Sequence, residues 1–160
     1  MTAVLQRVDR AACTVEGEVT GKTGKGLLIL LGVATWDTEA DAAALAAKVA
    51  RCRIFCDESG KMQRSVLDIS GGALVISNFT LLADYAHGNR PSYFGAAAPD
   101  AAEELYRFFV AALEREGVPT ATGRFGADMR LSIEANGPVT IVMESAKLKK
   151  QRRTANETAH

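Results

Sequence analysis

Gly26-Leu27-Leu28-Ile29-Leu30-Leu31-Gly32-Val33 is among the longest apolar runs in the chain, and its reading decides the fold. A helix that crosses a bilayer needs about 20 such residues, so the run is too short to span. Short, apolar and preceded by turn residues, it reads as a strand over Leu27–Val33. Similar segments lie on either side of it. Ala3–Val8 and Cys13–Val19 come before; Ala73–Phe79, Met129–Glu134 and Val139–Met143 come after. Glu16-Gly17 inside Val15-Glu16-Gly17-Glu18-Val19 marks a tight hairpin, and Ser59-Gly60 and Gly71-Gly72 mark further turns.

Two segments have helical periodicity instead. Over residues 38–51, Ala42, Leu45, Ala46 and Val49 form a 3.6-period stripe, and Asp41 stands three residues after Thr38 as in a capping box. Over Pro99–Glu116, proline occupies the first helical position, Asp100, Glu103 and Glu104 fill the first turn, and Gly117 follows the end. Leu105, Phe108, Phe109 and Ala112 are its expected buried face. The order β-β-β-α-β-α-β-β is that of a mixed α+β chain, in the broad α/β class, with two main helices.

A chain of 160 residues with 48% hydrophobic and 24% charged residues has the composition of one globular core. The start, Met1-Thr2-Ala3-Val4-Leu5-Gln6-Arg7, lacks the basic stretch and long apolar region of a signal peptide, and three cysteines fit a reducing compartment, so a cytoplasmic location is expected. Charge is balanced overall but unevenly placed. Residues 146–160 carry Lys147, Lys149, Lys150, Arg152 and Arg153 against Glu157, a net +4, and leave −4 on residues 1–145. The expected division is a domain over 1–145 and a basic, disordered tail over 146–160, whose charge could attract nucleic-acid phosphates.

Conventional catalytic groups are sparse. Cys52 and Cys56 could share a helix face, but two thiols with only His87 and His160 to add nitrogen do not make a zinc site. No local cysteine-hydrolase signature surrounds Cys13, Cys52 or Cys56, and no metal or cofactor is expected. Gly21-Lys22-Thr23-Gly24-Lys25-Gly26 does not fit the phosphate-loop spacing and reads as a hairpin connection. The lone Trp36 reads as core rather than as a platform for stacking bases. Two other segments have chemical interest. Ser77-Asn78-Phe79-Thr80 places three hydrogen-bonding side chains at the end of an apolar strand, where backbone N–H groups can face a cleft. Asn136-Gly137-Pro138-Val139-Thr140 is a turn sequence followed by a strand, and an X-Pro bond adopts cis at modest cost.

Together these segments resemble the D-aminoacyl-tRNA deacylase family, whose members carry Ser-Gln-x-Thr and Asn-x-Gly-Pro-Val-Thr motifs in this order. The resemblance extends through Gln6-Arg7-Val8, Val15-Glu16-Gly17-Glu18-Val19, Gly26-Leu27-Leu28, Arg53-Ile54-Phe55, Phe79-Thr80-Leu81, Arg90-Pro91-Ser92 and Thr122-Gly123-Arg124-Phe125-Gly126-Ala127-Asp128-Met129. It implies a three-layer β/β/α fold and an enzyme that hydrolyses the ester of D-aminoacyl-tRNA, a chirality proofreading step, with the glycyl ester left open as a further substrate. It also implies a homodimer with active sites at the subunit interface, the aminoacyl-tRNA 3′ end as partner, and no membrane. Ser77, Phe79 and Thr80 are then the catalytic residues. Asn78, Gly137, Pro138, Arg7, Phe125 and Met129 bind substrate: Gly137 and Pro138 reach across the dimer, Phe125 and Met129 line the adenosine end, and Arg7 orients the Gly-Pro loop.

An aminoacyl ester is already activated, so its hydrolysis needs chiefly orientation and donors aimed at the oxyanion, which N–H groups near Phe79 and Thr80 could supply. Thr80 is open to two roles, nucleophile or positioning group with help from the 2′-hydroxyl of the terminal adenosine; the lack of a motif-linked base favours positioning. Asn78 stands where the family usually has glutamine, one methylene longer. The main alternative function is a noncatalytic module that binds the tRNA 3′ end.

Overall fold

The computed structural model describes residues 1–149. In chain order its elements are β1 (Thr2–Val15), β2 (Glu18–Thr23), β3 (Gly26–Gly32), α1 (Glu39–Ala50), β4 (Phe55–Cys56), β5 (Met62–Arg64), β6 (Gly72–Ser77), a 3₁₀ turn (Phe79–Leu82), α2 (Pro99–Arg115), β7 (Thr120–Thr122) and β8 (Arg130–Glu144). The main sheet runs β2-β1-β3-β6-β7, with β8 on the other side of β1 and β4-β5 forming a separate small hairpin. β1 meets β3 along its first half and β2 along its second, while β8 follows it throughout. A strand that changes partners midway bends the sheet onto itself.

That bend creates two cores, which alternating side chains of the same strands supply. Leu27, Ile29 and Leu31 of β3, with Ala73 and Val75 of β6, pack against Leu45, Ala46 and Val49 of α1 and Phe109 and Leu113 of α2. Leu28, Leu74 and Ile76 point the other way and close on Val8, Ala11, Cys13 and Val15 of β1. The result is the expected three-layer β/β/α arrangement. β3 is buried on both sides of the sheet, which is why its sequence is an uninterrupted apolar run.

Thr38 caps α1 as the sequence predicts: its hydroxyl accepts from Asp41 N–H while the Asp41 carboxylate accepts from Thr38 N–H at 3.0 Å. α2 begins at Pro99 as expected, but its buried face is turned. Ala102, Tyr106, Phe109, Ala112 and Leu113 are buried, and Leu105 and Phe108 only partly so. The turn brings the Tyr106 hydroxyl to the Val75 carbonyl at 2.8 Å, satisfying a buried polar group that a stripe centred on Leu105 would not have used.

Other expectations change. Ala3–Val8 and Cys13–Val19 form one long strand through residue 15 and then a hairpin, with Glu16 and Gly17 both at positive φ. Met129–Glu134 and Val139–Met143 likewise join into β8, and Asn136–Val139 is an outward bulge within it rather than a turn between strands. Cys52 lies beyond the end of α1 and Cys56 in β4, so they share no helix face. Trp36 is not core: it is 66% exposed.

Residues 145–149, most of them in the expected tail, are helical. Ser145 N–H donates to the Met1 carbonyl at 2.9 Å, Leu148 packs on the helix-side core, and Lys149 reaches Asp41 at 2.8 Å. Residues 150–160, with the rest of the expected disordered tail, lie outside the described residues. No helix among the described residues is long and apolar enough to cross a membrane.

Candidate active site

β6 ends at Ser77, and the chain turns at once into the 3₁₀ turn from Phe79. The turn is fixed at both ends. Asn78 N–H donates to the Leu31 carbonyl of β3 at 2.8 Å, holding the strand end, and the Asn78 side-chain oxygen accepts from Thr80 N–H at 3.2 Å, capping the turn. The Thr80 hydroxyl also donates to that oxygen. One short amide thus takes both polar hydrogens of Thr80. Thr80 N–H is therefore engaged. Phe79 N–H has no hydrogen-bond partner among the described residues and is the free donor at the strand end.

Beside this turn lies a cavity of about 570 Å³. Ser77, Asn78 and Phe79 form one wall, and Phe125 and Met129 form another. Ala97, Ala98 and the start of α2 close a third side, small side chains leaving room there. Two features hold the Phe125–Met129 wall. Gly123 passes so close to Met129 that a Cβ there would lie 2.6 Å from its sulfur, and Phe125 rests on Tyr106 with ring centroids 5.9 Å apart. Burial, followed by the Cys13 thiol nearby, pushes the Tyr106 hydroxyl up to about 12, so it remains a neutral donor to Val75 at any ordinary pH.

The chemistry of the lining is spare. Among the described residues Tyr93 is the one titratable side chain on the cavity wall, with Ser77, Asn78 and main chain as the other polar groups. No carboxylate, lysine or histidine among the described residues lines it. Among the described residues no three His, Cys, Asp or Glu side chains gather as a metal site. Such a pocket can bind, orient and donate hydrogen bonds, but it has no evident base.

Of the residues singled out from the sequence, five meet in this cavity: Ser77, Asn78, Phe79, Phe125 and Met129. Thr80 stands just outside, exposed and tied to Asn78. Arg7, Gly137 and Pro138 lie elsewhere, on the β1–β8 side. Arg7 donates to the Asn136 carbonyl at 3.0 Å, to the Asn136 side-chain oxygen at 3.2 Å and to the Ile54 carbonyl at 2.8 Å. These bonds pin a loop in which the Gly137–Pro138 peptide is cis and both residues are exposed. Gly137 has φ 135°, and a Cβ on it would lie 2.5 Å from Val139 N, so only glycine fits.

Tyr93 was not found from the sequence. Its ring meets Phe79 edge-on with centroids 5.2 Å apart, at the cavity mouth. It sits in an irregular segment with no periodicity, and the available signal was its place directly after Arg90-Pro91-Ser92.

Comparison with known proteins gives a consistent picture. Residues 4–144 match the family described as D-Tyr-tRNA(Tyr) deacylase. A D-aminoacyl-tRNA deacylase of Deinococcus deserti is 60% identical over 144 residues, covering 90% of this chain and 99% of that one. Another, of Ruegeria pomeroyi, is 56% identical over 144 residues with the same coverage. Among solved structures, a protein described as c-Myc DNA Unwinding Element Binding Protein superposes with TM-score 0.85 at 39% identity, over 90% of this chain and 98% of that chain. A probable eukaryotic D-amino acid tRNA deacylase superposes with TM-score 0.79 at 16% identity, over 89% and 99%, a likeness of fold alone.

Proposed function

This chain belongs to the D-Tyr-tRNA(Tyr) deacylase family, and on that premise we propose how its own residues carry the reaction. The chain hydrolyses the ester of D-aminoacyl-tRNA to free tRNA and a D-amino acid, a proofreading step in translation. The noncatalytic alternative is set aside, since relatives 56–60% identical over 90% of the chain are deacylases.

In the proposed mechanism the terminal adenosine lies against Phe125 and Met129, and the ester carbonyl faces the end of β6. Water attacks the carbonyl carbon, and the developing oxyanion accepts a hydrogen bond from Phe79 N–H. Preorganised donors of this kind are worth about 2.7–4 kcal/mol each in acyl-transfer enzymes. Collapse of the adduct breaks the bond to the ribose oxygen, which leaves with the proton that the water gives up. Ser77 and Asn78 orient the substrate. Thr80 is a positioning residue: its hydroxyl donates to Asn78 and faces no base that would make it a nucleophile. The 2′-hydroxyl of the adenosine assists the water. The observation that carries this reading is a cavity lined by Phe79, whose N–H has no partner, and, among the described residues, by no carboxylate, lysine or histidine.

The proposed active unit is a homodimer. β8 is an edge strand with mixed exposure, and Ile133 and Val142 on it are 43% and 57% exposed, an apolar edge that pairing would cover. Gly137 and Pro138 are exposed at the break in β8 and do not line the cavity of their own chain, which supports their serving the cavity of a second copy. There the glycine and proline carbonyls would accept the substrate ammonium and exclude an L side chain, a filter on handedness rather than on side-chain identity.

Complementation tests the composite site. Gly137→Ala and Phe79→Pro, which removes the free N–H, are each expected to lose nearly all activity. After unfolding and refolding together, a random mixture should regain about a quarter of the wild-type rate, because half the dimers are mixed and each has one intact site. No recovery, although mixed dimers form, would place Gly137 and Phe79 in the same subunit's site.

A further inference from the structure

Outside the cavity, the largest unexplained feature is a group of aromatic rings turned to solvent. Phe94 is 94% exposed, Tyr85 78% and Trp36 66%. Single exposed apolar residues are ordinary, but three large exposed rings on segments bonded to one another are not. They belong to one substructure. Thr35 N–H donates to the Gly95 carbonyl at 3.0 Å, Ala34 bridges Ala96, and Asp84 bridges Ser92. The edge of the Trp36 ring reaches Gly95, where an added Cβ would meet Trp36 Cη2 at 3.9 Å. Within one or two residues of that contact, Tyr93 and Ala96 line the cavity mouth.

We propose that Trp36 and Phe94 form a stacking platform for the unpaired nucleotides that precede the terminal adenosine of the substrate, an inference that rests on the deacylase reading of the adjoining cavity. A chain whose last nucleoside is seated against Phe125 must leave the cavity, and the segment that lines it with Tyr93 and Ala96 carries Phe94 between them, with Trp36 against Gly95. Every base has a π face, so such rings hold single-stranded nucleic acid without regard to sequence. Arg90, exposed on the same segment, supplies a cation for a phosphate between stacked bases. Rigid connections favour this use: both rings stand on backbone held by the Thr35–Gly95 and Ala34–Ala96 bonds, so little ordering is needed when RNA arrives. A platform of this kind would also fit the substrate's chemistry, since an enzyme that accepts many D-amino acids must take its affinity from the invariant RNA rather than from the side chain.

Trp36 is the single tryptophan of the chain and reports on its own surroundings. Titrating the full-length protein with an uncharged RNA stem ending in single-stranded nucleotides and a terminal adenosine should quench its fluorescence, while adenosine alone should not. This arm needs no turnover, so it can succeed even if the deacylase mechanism is wrong. In steady-state assays on D-tyrosyl-tRNA, Trp36→Ala and Phe94→Ala should each raise KM about tenfold with kcat unchanged, and Trp36→Phe should recover most of the loss. Neither substitution should alter turnover of D-tyrosyl-adenosine, which lacks the preceding nucleotides. Failure of wild type on both substrates would count against the deacylase mechanism, not the platform. Quenching by adenosine alone, equal KM effects on both substrates, or emission that shifts with protein concentration but not with RNA would overturn the platform; the last would assign the face to a second copy of the chain.

Discussion

The guanidinium of Arg7 holds Asn136 by both its main-chain and side-chain oxygens, at 3.0 and 3.2 Å, and in doing so fixes the loop that carries Gly137 and Pro138. Only the planar fork of arginine makes both bonds in this geometry while a further nitrogen reaches Ile54. Arg7→Lys keeps the charge and loses the fork. With each charge-assisted bond worth about 1.5–3 kcal/mol, kcat/KM on D-tyrosyl-tRNA should fall about 10- to 100-fold. The fall should lie mainly in kcat, and circular dichroism should show a folded chain. Wild-type kinetics in Arg7→Lys would mean that the loop needs no such anchor.

Gly137 tests the loop itself. With φ 135° and Val139 N in the way, alanine must displace the backbone, at a cost of about 1–3 kcal/mol. Gly137→Ala should lower the melting temperature modestly but reduce D-aminoacyl-tRNA cleavage far more. Residual activity should be less selective against L. A loss of stability without change in the D/L ratio of kcat/KM would leave the glycine a purely structural role.

Thr80 separates the two mechanisms that its hydroxyl allows. If it only donates to Asn78, Thr80→Ala removes one neutral hydrogen bond, about 1 kcal/mol, and kcat should fall about fivefold. Removal of a committed nucleophile would cost on the order of 10⁶-fold. Quenched-flow analysis with labelled D-tyrosyl-tRNA should find no acyl-enzyme, and a tRNA ending in 2′-deoxyadenosine should be a poor substrate. A trapped aminoacyl ester on Thr80 would reverse the assignment.

Asp41 links the start of α1 to the helical turn at 145–149. Its burial raises the carboxyl's pKa, but Lys149 and the Thr38 hydroxyl and N–H outweigh this and hold it below the usual carboxylate range. A folded-state pKa below the unfolded one gives stability that is complete above about pH 4 and is lost as pH falls through the folded value. Asp41→Asn should therefore cost about 1–2 kcal/mol at neutral pH, and the gap should close as pH falls below the usual carboxylate range and Asp41 protonates, read from urea melts at each pH. Truncation after Ser145 should show the same stability loss because it removes Leu148 and Lys149, whereas truncation after Lys149 should not. An unchanged gap between wild type and Asp41→Asn across pH would show that the charge contributes nothing.

Much of this architecture was legible because local rules and tertiary packing agree. Thr38 and Asp41 announce α1, Pro99 announces α2, and the apolar run from Leu27 is what a strand between two cores requires. Legibility ended where long-range geometry overrode local pattern. Asp9 and Arg10 interrupt β1 in sequence but lie exposed where the strand exchanges β3 for β2. Asn136-Gly137-Pro138 has turn residues, yet β8 keeps its pairing with β1 on both sides of the bulge. The apolar face of α2 lies a fraction of a turn away from the Leu105–Phe108 stripe because Tyr106, polar at its tip, turns inward to donate to the Val75 carbonyl. For the site, the Ser77–Phe79 strand end could be read from its residue types, but Tyr93 and Trp36 could not. Both sit in segments without period, where only the contacts of the folded chain tell an exposed ring from a buried one.

The most direct measurement is kcat/KM for the purified protein on D- and L-tyrosyl-tRNA prepared from the same tRNA, with and without a chelator. The account predicts rapid cleavage of the D ester, no detectable enzymatic cleavage of the L ester, and identical rates in the chelator, since the cavity works through main-chain donors and shape. Equal cleavage of both esters, or activity that disappears in chelator and returns with a divalent metal, would contradict it.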